Sequence, residues 1–227
     1  LVAEVERKEK RRADLEIESL LCRINPHFLM NSLYTIHWLA VERGEEELDR
    51  LVLALNRLLC YNIGKAGMAT TLGEELESLD EYLVLQRSRY DFEYSIDVPP
   101  DEGLLRARMP RFVLQPLVEN ALVHGAAGSG RIAVRVAPLG PPGGGLEIAI
   151  EDDGPGMSAE RLLELMEEGR AGGGARAGAG MGIGLRYVKR VLESFYGGRA
   201  CLELESAVGK GTRARMRLPG PERRVAV

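Results

Sequence analysis

Four short stretches of the chain combine residue types that could carry out chemistry together. The first is Arg23-Ile-Asn-Pro-His-Phe-Leu-Met-Asn31. A neutral imidazole near pH 7 offers an unprotonated ring nitrogen, so His27 could act as a nucleophile. Pro26 has no amide proton and would clash with the carbonyl of Cys22, which predicts a helix kink beside the ring. On residue type alone, an ordinary surface or core histidine fits this position better. The second stretch, Gln115-Pro-Leu-Val-Glu-Asn-Ala-Leu-Val-His124, is an apolar helical pattern interrupted by Asn120 and, four residues on and hence on the same face, by His124. An Asn carbonyl is an oxygen ligand of the kind Mg²⁺ accepts, yet taken alone the two residues also fit a satisfied polar pair.

The third stretch, Asp152-Asp-Gly-Pro-Gly156, falls between a predicted strand and a predicted helix. A carboxylate at a strand end can accept a hydrogen bond from an exocyclic amine, while Gly154 and Gly156 would let the backbone approach a flat ring. The same pattern is also a common turn. The fourth is Gly180-Met-Gly-Ile-Gly-Leu185 at a helix start, where free N–H groups and the helix dipole favour phosphate. It is not a G-x-G-x-x-G fingerprint, since Leu185 and Tyr187 stand where the third glycine would be required, and the chain has no Walker A sequence.

The elements that must position these residues follow from periodicity. Ile17, Leu21, Ile24 and Phe28 share one helical face; Leu48, Leu51, Val52, Leu55, Leu58 and Leu59 mark a second helix beyond a turn at Gly44. Two such helices cannot bury their apolar faces alone, so a helical hairpin that dimerises into a four-helix bundle is expected. A third helix is predicted from Glu74 to Tyr90. After Asp91 the period changes from about 3.6 to 2. Alternation marks strands at Phe92–Val98, Arg131–Val136, Leu146–Glu151, Leu202–Leu204 and Ala214–Leu218, with covering helices at Arg111–His124, Ser158–Glu168 and Gly182–Tyr196. Strands apolar on one face predict a sheet covered by helices on one side only. The expected class is therefore α+β: helices over residues 1–90, a two-layer α/β sandwich over 91–220 and a tail at 221–227. The Gly- and Ala-rich tract between Glu168 and Gly184 is expected to be mobile.

Composition narrows the partners. With 30 Lys and Arg against 34 Asp and Glu, the net charge is −4, which argues against a nucleic-acid-binding surface. The three cysteines, Cys22, Cys60 and Cys201, lack metal-ligand spacing and suggest a reducing compartment. No window approaches twenty apolar residues. The charged helical opening, Glu4 to Arg12, suggests a piece of a longer protein.

In order and spacing, the second, third and fourth stretches resemble the N, G1 and G2 boxes of the Bergerat-type ATP-binding fold shared by DNA gyrase, heat-shock chaperones, MutL and histidine kinases. Ser206-Ala-Val-Gly-Lys-Gly-Thr212 before a strand is similar to that family's final glycine and threonine element. The Asn-Pro-His-Phe segment is similar to the phosphoacceptor box of LytS- and YesM-like sensor kinases. Leu72-Gly-Glu-Glu-Leu-Glu77, Tyr82-Leu-Val-Leu-Gln-Arg-Ser-Arg89 and Gln115-Pro-Leu-Val-Glu-Asn120 resemble the same branch. The resemblance spans roughly residues 17–218.

It implies a dimeric protein-histidine kinase that uses ATP and Mg²⁺, phosphorylates His27 and passes the phosphoryl group to a response-regulator aspartate. ATP would contact Asn120, His124, Asp152, Gly154, Gly156, Gly180, Gly182, Gly184, Leu185 and Thr212, with Asn120 also on Mg²⁺. Glu119 is a candidate general base because Phe28 occupies the position where many such kinases carry an acid after the histidine; a structural salt bridge is the other reading of Glu119. Tyr187 departs from the Asn often found at its position in this branch. A bacterial membrane protein, tethered through segments outside this stretch and with this part in the cytoplasm, is implied. The alternative is a dimerising module that binds nucleotide without phosphotransfer.

Overall fold

The computed structural model describes residues 26–62, 69–125, 130–140, 144–168 and 181–220. The Ile17–Phe28 face up to residue 25, the Pro26 kink, most of the Glu168–Gly184 tract and the tail lie outside these. The chain divides into two compact units after Gly64.

The smaller unit is a helical hairpin, α1 (Pro26–Arg43) and α2 (Glu46–Asn62). Gly44 ends α1 at φ 68°, a left-handed conformation that costs glycine little; the Gly44 and Glu45 amides then donate to the carbonyls of Val41 and Ala40. Leu33 and Ala40, seven residues apart on α1, are buried, as are Val52, Ala54 and Leu58 on α2. The His37 ring lies 5.2 Å from that of Trp38, and its Nδ1 also meets Asp49 Oδ1 across the hairpin.

The larger unit begins with β1 (Ala69–Thr71) and α3 (Leu72–Arg87). A capping box starts α3: Glu74 N–H donates to Thr71 Oγ1 at 3.3 Å, and Thr71 N–H donates to Glu74 Oε2 at 3.1 Å. Leu72, Leu76, Leu79 and Leu83 of this helix belong to the same core as the sheet. The structural division therefore falls earlier than the boundary at residue 90, because the apolar stripe of α3 is buried in the sandwich and not in the hairpin.

A mixed five-stranded sheet follows, built from β2 (Glu93–Asp97), β4 (Arg131–Pro138), β5 (Gly145–Asp152), β6 (Cys201–Ser206) and β7 (Thr212–Pro219) in the order β2-β4-β5-β7-β6. Only the β2–β4 pair is parallel. The short β3 (Arg108–Pro110) pairs with β1 in a separate ribbon, following a one-turn helix, α4 (Glu102–Leu105). One sheet face presents Ile132, Val134, Ile148, Ile150, Met216 and Leu218 to the helices α5 (Gln115–Asn120) and α7 (Met181–Tyr196). The other is a ladder of cross-strand ion pairs in which Arg213, Arg215 and Arg217 of β7 meet Glu147 and Glu151 of β5 and Glu203 and Glu205 of β6. This is the one-sided, two-layer arrangement that the alternation implies. Helix α6 (Ala159–Glu168) completes the described elements.

The expected helix over Arg111–His124 is shorter than its apolar pattern suggests. Residues 111–114 form a turn with Phe112 at φ 60°, α5 starts at Gln115, and it widens into a π-helical turn over Ala121–Gly125.

Candidate functional site

A cavity opens between α5, the start of α7 and the ends of β5 and β7. Leu117, Ala121, Ile150, Met157, Leu185, Leu204 and Ala214 make it mainly apolar; Asn120, His124, Asp152 and Thr212 supply its polar groups. An apolar slot with a few convergent polar groups suits a flat heteroaromatic ring carrying one hydrogen-bonding edge.

Asp152 is held at the end of β5 by its neighbours. Its Oδ1 accepts the N–H of Gly154 at 3.0 Å and of Thr212 at 3.2 Å. Among the described residues no hydrogen bond ends on Oδ2, which leaves one acceptor for a ligand amine. Burial raises the Asp152 pKa; the Gly154 and Thr212 amides and the nearby His124 pull it back towards the ordinary value. The adjacent acid does something else. Asp153 Oδ1 accepts the Arg131 N–H at 2.7 Å and so pins the loop to β4.

The glycines here are fixed by close backbone approach. A Cβ on Gly125 would lie 2.3 Å from Asp152 Cγ, one on Gly154 would lie 2.3 Å from Gly125 Cα, and one on Gly211 would lie 1.8 Å from the Asp152 carbonyl oxygen. Gly156, at φ 65°, has the Ala207 carbonyl oxygen 1.9 Å from where its Cβ would stand. The loop after β5 is thus pressed against the end of α5 and against the β6–β7 turn. Ser206 ties it down: its Oγ accepts the Met157 N–H at 2.9 Å, donates to the Gly211 carbonyl at 2.9 Å and lies 3.0 Å from Thr212 Oγ1.

On the helical wall, Asn120 is half-buried and His124 exposed at the cavity edge. The Asn120 amide has no hydrogen-bond partner among the described residues, so it is available to a ligand or ion. Among those residues no three His, Cys, Asp or Glu cluster as a metal site; an Asn-bound Mg²⁺ would complete its shell with phosphate and water. Gly184 sits where a Cβ would be 3.3 Å from Pro116, so the first turns of α7 approach α5 closely. Glu119 is exposed and forms no ion pair among the described residues.

The structure therefore gathers Asn120, His124, Asp152, Leu185 and Thr212 around one cavity; Gly154, Gly156 and Gly184 do not line it but lie near lining residues in the chain. Gly182 lies in the first turn of α7, Gly180 lies outside the described residues, and His27 lies in α1 of the other unit. Residue patterns missed Gly125, Met157 and the role of Ser206. Gly125 had a signal, since a glycine directly after His124 allows the close approach that Asp152 makes.

Residues 106–222 match the family model described as histidine kinase-, DNA gyrase B-, and HSP90-like ATPase. The chain belongs to this ATPase family. Residues 15–94 match the model described as histidine kinase. The sensor histidine kinase YesM of Bacillus subtilis (strain 168) is 30% identical over 207 residues, covering 91% of this chain and 33% of that protein. The sensor protein LytS of the same strain is 31% identical over 219 residues, covering 96% of this chain and 36% of its own length. The chain thus spans about a third of the length of these curated relatives. The catalytic domain of histidine kinase ThkA superposes with a TM-score of 0.52 at 14% identity, over 68% of this chain and 95% of that one, and agrees in fold.

Proposed function

We propose that the chain is the kinase core of a two-component sensor: it binds ATP with Mg²⁺, phosphorylates His27 and passes the phosphoryl group to an aspartate of a response regulator. The observation that carries this reading is the single free carboxylate oxygen of Asp152 at the edge of an apolar slot, with the unpartnered Asn120 amide on the facing wall. Adenine fits the slot, its exocyclic amine donating to Asp152 Oδ2. The phosphates then run towards Asn120, which takes Mg²⁺, and towards the glycines at the start of α7. In the chemical step an unprotonated His27 ring nitrogen bonds to the γ-phosphorus as the bond to the β–γ bridging oxygen breaks, and ADP leaves. Because phosphoryl transfer depends on positioning and charge neutralisation, the hairpin's task is to present the ring in line. Glu119 is the proposed proton acceptor. The hairpin dimerises into a four-helix bundle, and the parent protein is tethered to a bacterial membrane with this part in the cytoplasm; among the described residues no helix is long and apolar enough to cross one.

Incubating the chain with Mg²⁺ and ATP labelled at either the γ- or the α-phosphate tests the reading. Protein-bound label from γ- but not α-labelled ATP, stable to alkali and lost in acid, is expected. Steady release of phosphate with no labelled protein would instead indicate a plain ATPase.

A further inference from the structure

Glu75 lies in the first turn of α3 and is 3% exposed, although a buried carboxylate is costly unless hydrogen bonds satisfy it. Two of its partners belong to a segment more than thirty-five residues away in the chain. The Phe112 N–H donates to Oε1 at 2.5 Å, and the Leu114 N–H donates to Oε2 at 3.4 Å. Phe112 is the only non-glycine among the described residues at positive φ, a left-handed conformation that costs a side-chain-bearing residue about 1–2 kcal/mol. Leu114 is the N-cap of α5 and gives that helix no side-chain cap. Glu75 therefore restrains the strained residue and satisfies the amide at the helix start.

Helix α5 and its π-helical extension carry Leu117, Asn120, Ala121 and His124 on the cavity wall, whereas Glu75 itself does not line the cavity. We infer that Glu75 is a positioning residue for the nucleotide site: by holding the Phe112–Leu114 turn it fixes where α5 begins and hence where Asn120 meets the nucleotide. This rests on the nucleotide-binding reading above. It also gives a physical role to the Leu72–Glu77 segment, which does not line the cavity yet sets the frame of the site.

The test is calorimetric titration of the whole chain with ADP and Mg²⁺, comparing the parent, Glu75→Gln and Glu75→Gln with Phe112→Gly. Glutamine keeps the shape and one acceptor oxygen, so a cooperative thermal transition should persist while Kd rises about tenfold, the scale of one lost hydrogen bond to a charged group. Glycine takes positive φ without strain, so the double variant should recover part of that affinity. A folded Glu75→Gln chain with the parent's Kd would overturn the role of Glu75 alone. A parent chain that does not bind the nucleotide would overturn the nucleotide reading itself. Should Glu75→Gln not fold, hydrogen exchange in the parent decides: slower exchange at the Phe112 and Leu114 amides on nucleotide binding supports the inference, and protection confined to Gly154 and Thr212 contradicts it.

Discussion

The hairpin and the α/β sandwich solve the burial problem differently. In the sandwich, the apolar stripes of α3, α5 and α7 close over one sheet face in a single core, and the open face is covered with ion pairs. In the hairpin, Leu33, Ala40, Val52, Ala54 and Leu58 are buried, whereas Phe28, Trp38, Leu48 and Leu55 are among the apolar residues left exposed. One unit completes its own core; the other leaves large apolar side chains exposed on both of its helices. Nucleotide binding should therefore be a property of the sandwich, and assembly a property of the hairpin.

The largest expected effect lies at Asp152. In Asp152→Asn the amide oxygen can still accept the Gly154 and Thr212 amides, but the group facing the cavity becomes a donor opposed to a ligand amine. Nucleotide affinity should fall at least about a hundredfold, because two donors are left facing each other, while thermal unfolding stays cooperative. The pH dependence has a definite sign. Burial raises the Asp152 pKa, so the folded chain holds a proton at pH values where the unfolded chain has released it. The group's stabilising contribution is complete below its unfolded pKa and is lost as pH rises through the folded one. Melting temperatures measured against pH should accordingly show Asp152→Asn at least as stable as the parent at neutral pH, with its advantage shrinking through the carboxylate range on acidification.

Leu48 and Leu55, seven residues apart on α2 and exposed, lie on one face. Replacing both with Glu should leave the affinity for ADP and Mg²⁺ within about twofold of the parent, since the sandwich is untouched, and should shift the chain to monomer in sedimentation. Loss of nucleotide affinity in this variant would break the division between the units. Smaller effects are expected within the sandwich. The Tyr196 hydroxyl, its pKa pushed up to about 12 by burial, donates to the Arg108 carbonyl at 3.0 Å and joins α7 to β3. Tyr196→Phe should cost about 1 kcal/mol in denaturant unfolding. Arg215 reaches Glu147, Glu203 and Glu205 at 3.3–3.8 Å on the open sheet face. Arg215→Ala should cost under about 1 kcal/mol, and less at high salt, because surface ion pairs are weak and screened.

Alternation made the five strands of the main sheet legible, since a sheet with one buried face stamps period two on every strand. Asn120 and Asp152 were legible as polar residues within or at the end of apolar elements, whereas Thr212 came only from the resemblance of Ser206–Thr212 to the family's final glycine and threonine element. The allegiance of α3 was not legible, because the spacing of Leu72, Leu76, Leu79 and Leu83 is the same whichever core receives the stripe. Nor was the turn at 111–114: its apolar residues continue the helical pattern, while the Phe112 amide donates to the carboxylate of Glu75, distant in the chain. Gly125 and Ser206 act through contacts with segments far away in sequence, which periodicity does not record.

The most direct test of the kinase reading compares the parent chain, His27→Ala and Asp152→Asn after incubation with γ-labelled ATP and Mg²⁺, with nucleotide binding measured on the same samples. Acid-labile label is expected on the parent alone, with nucleotide bound by the parent and by His27→Ala but not by Asp152→Asn. Label persisting on His27→Ala, or a parent that binds nucleotide yet takes no label, would contradict it.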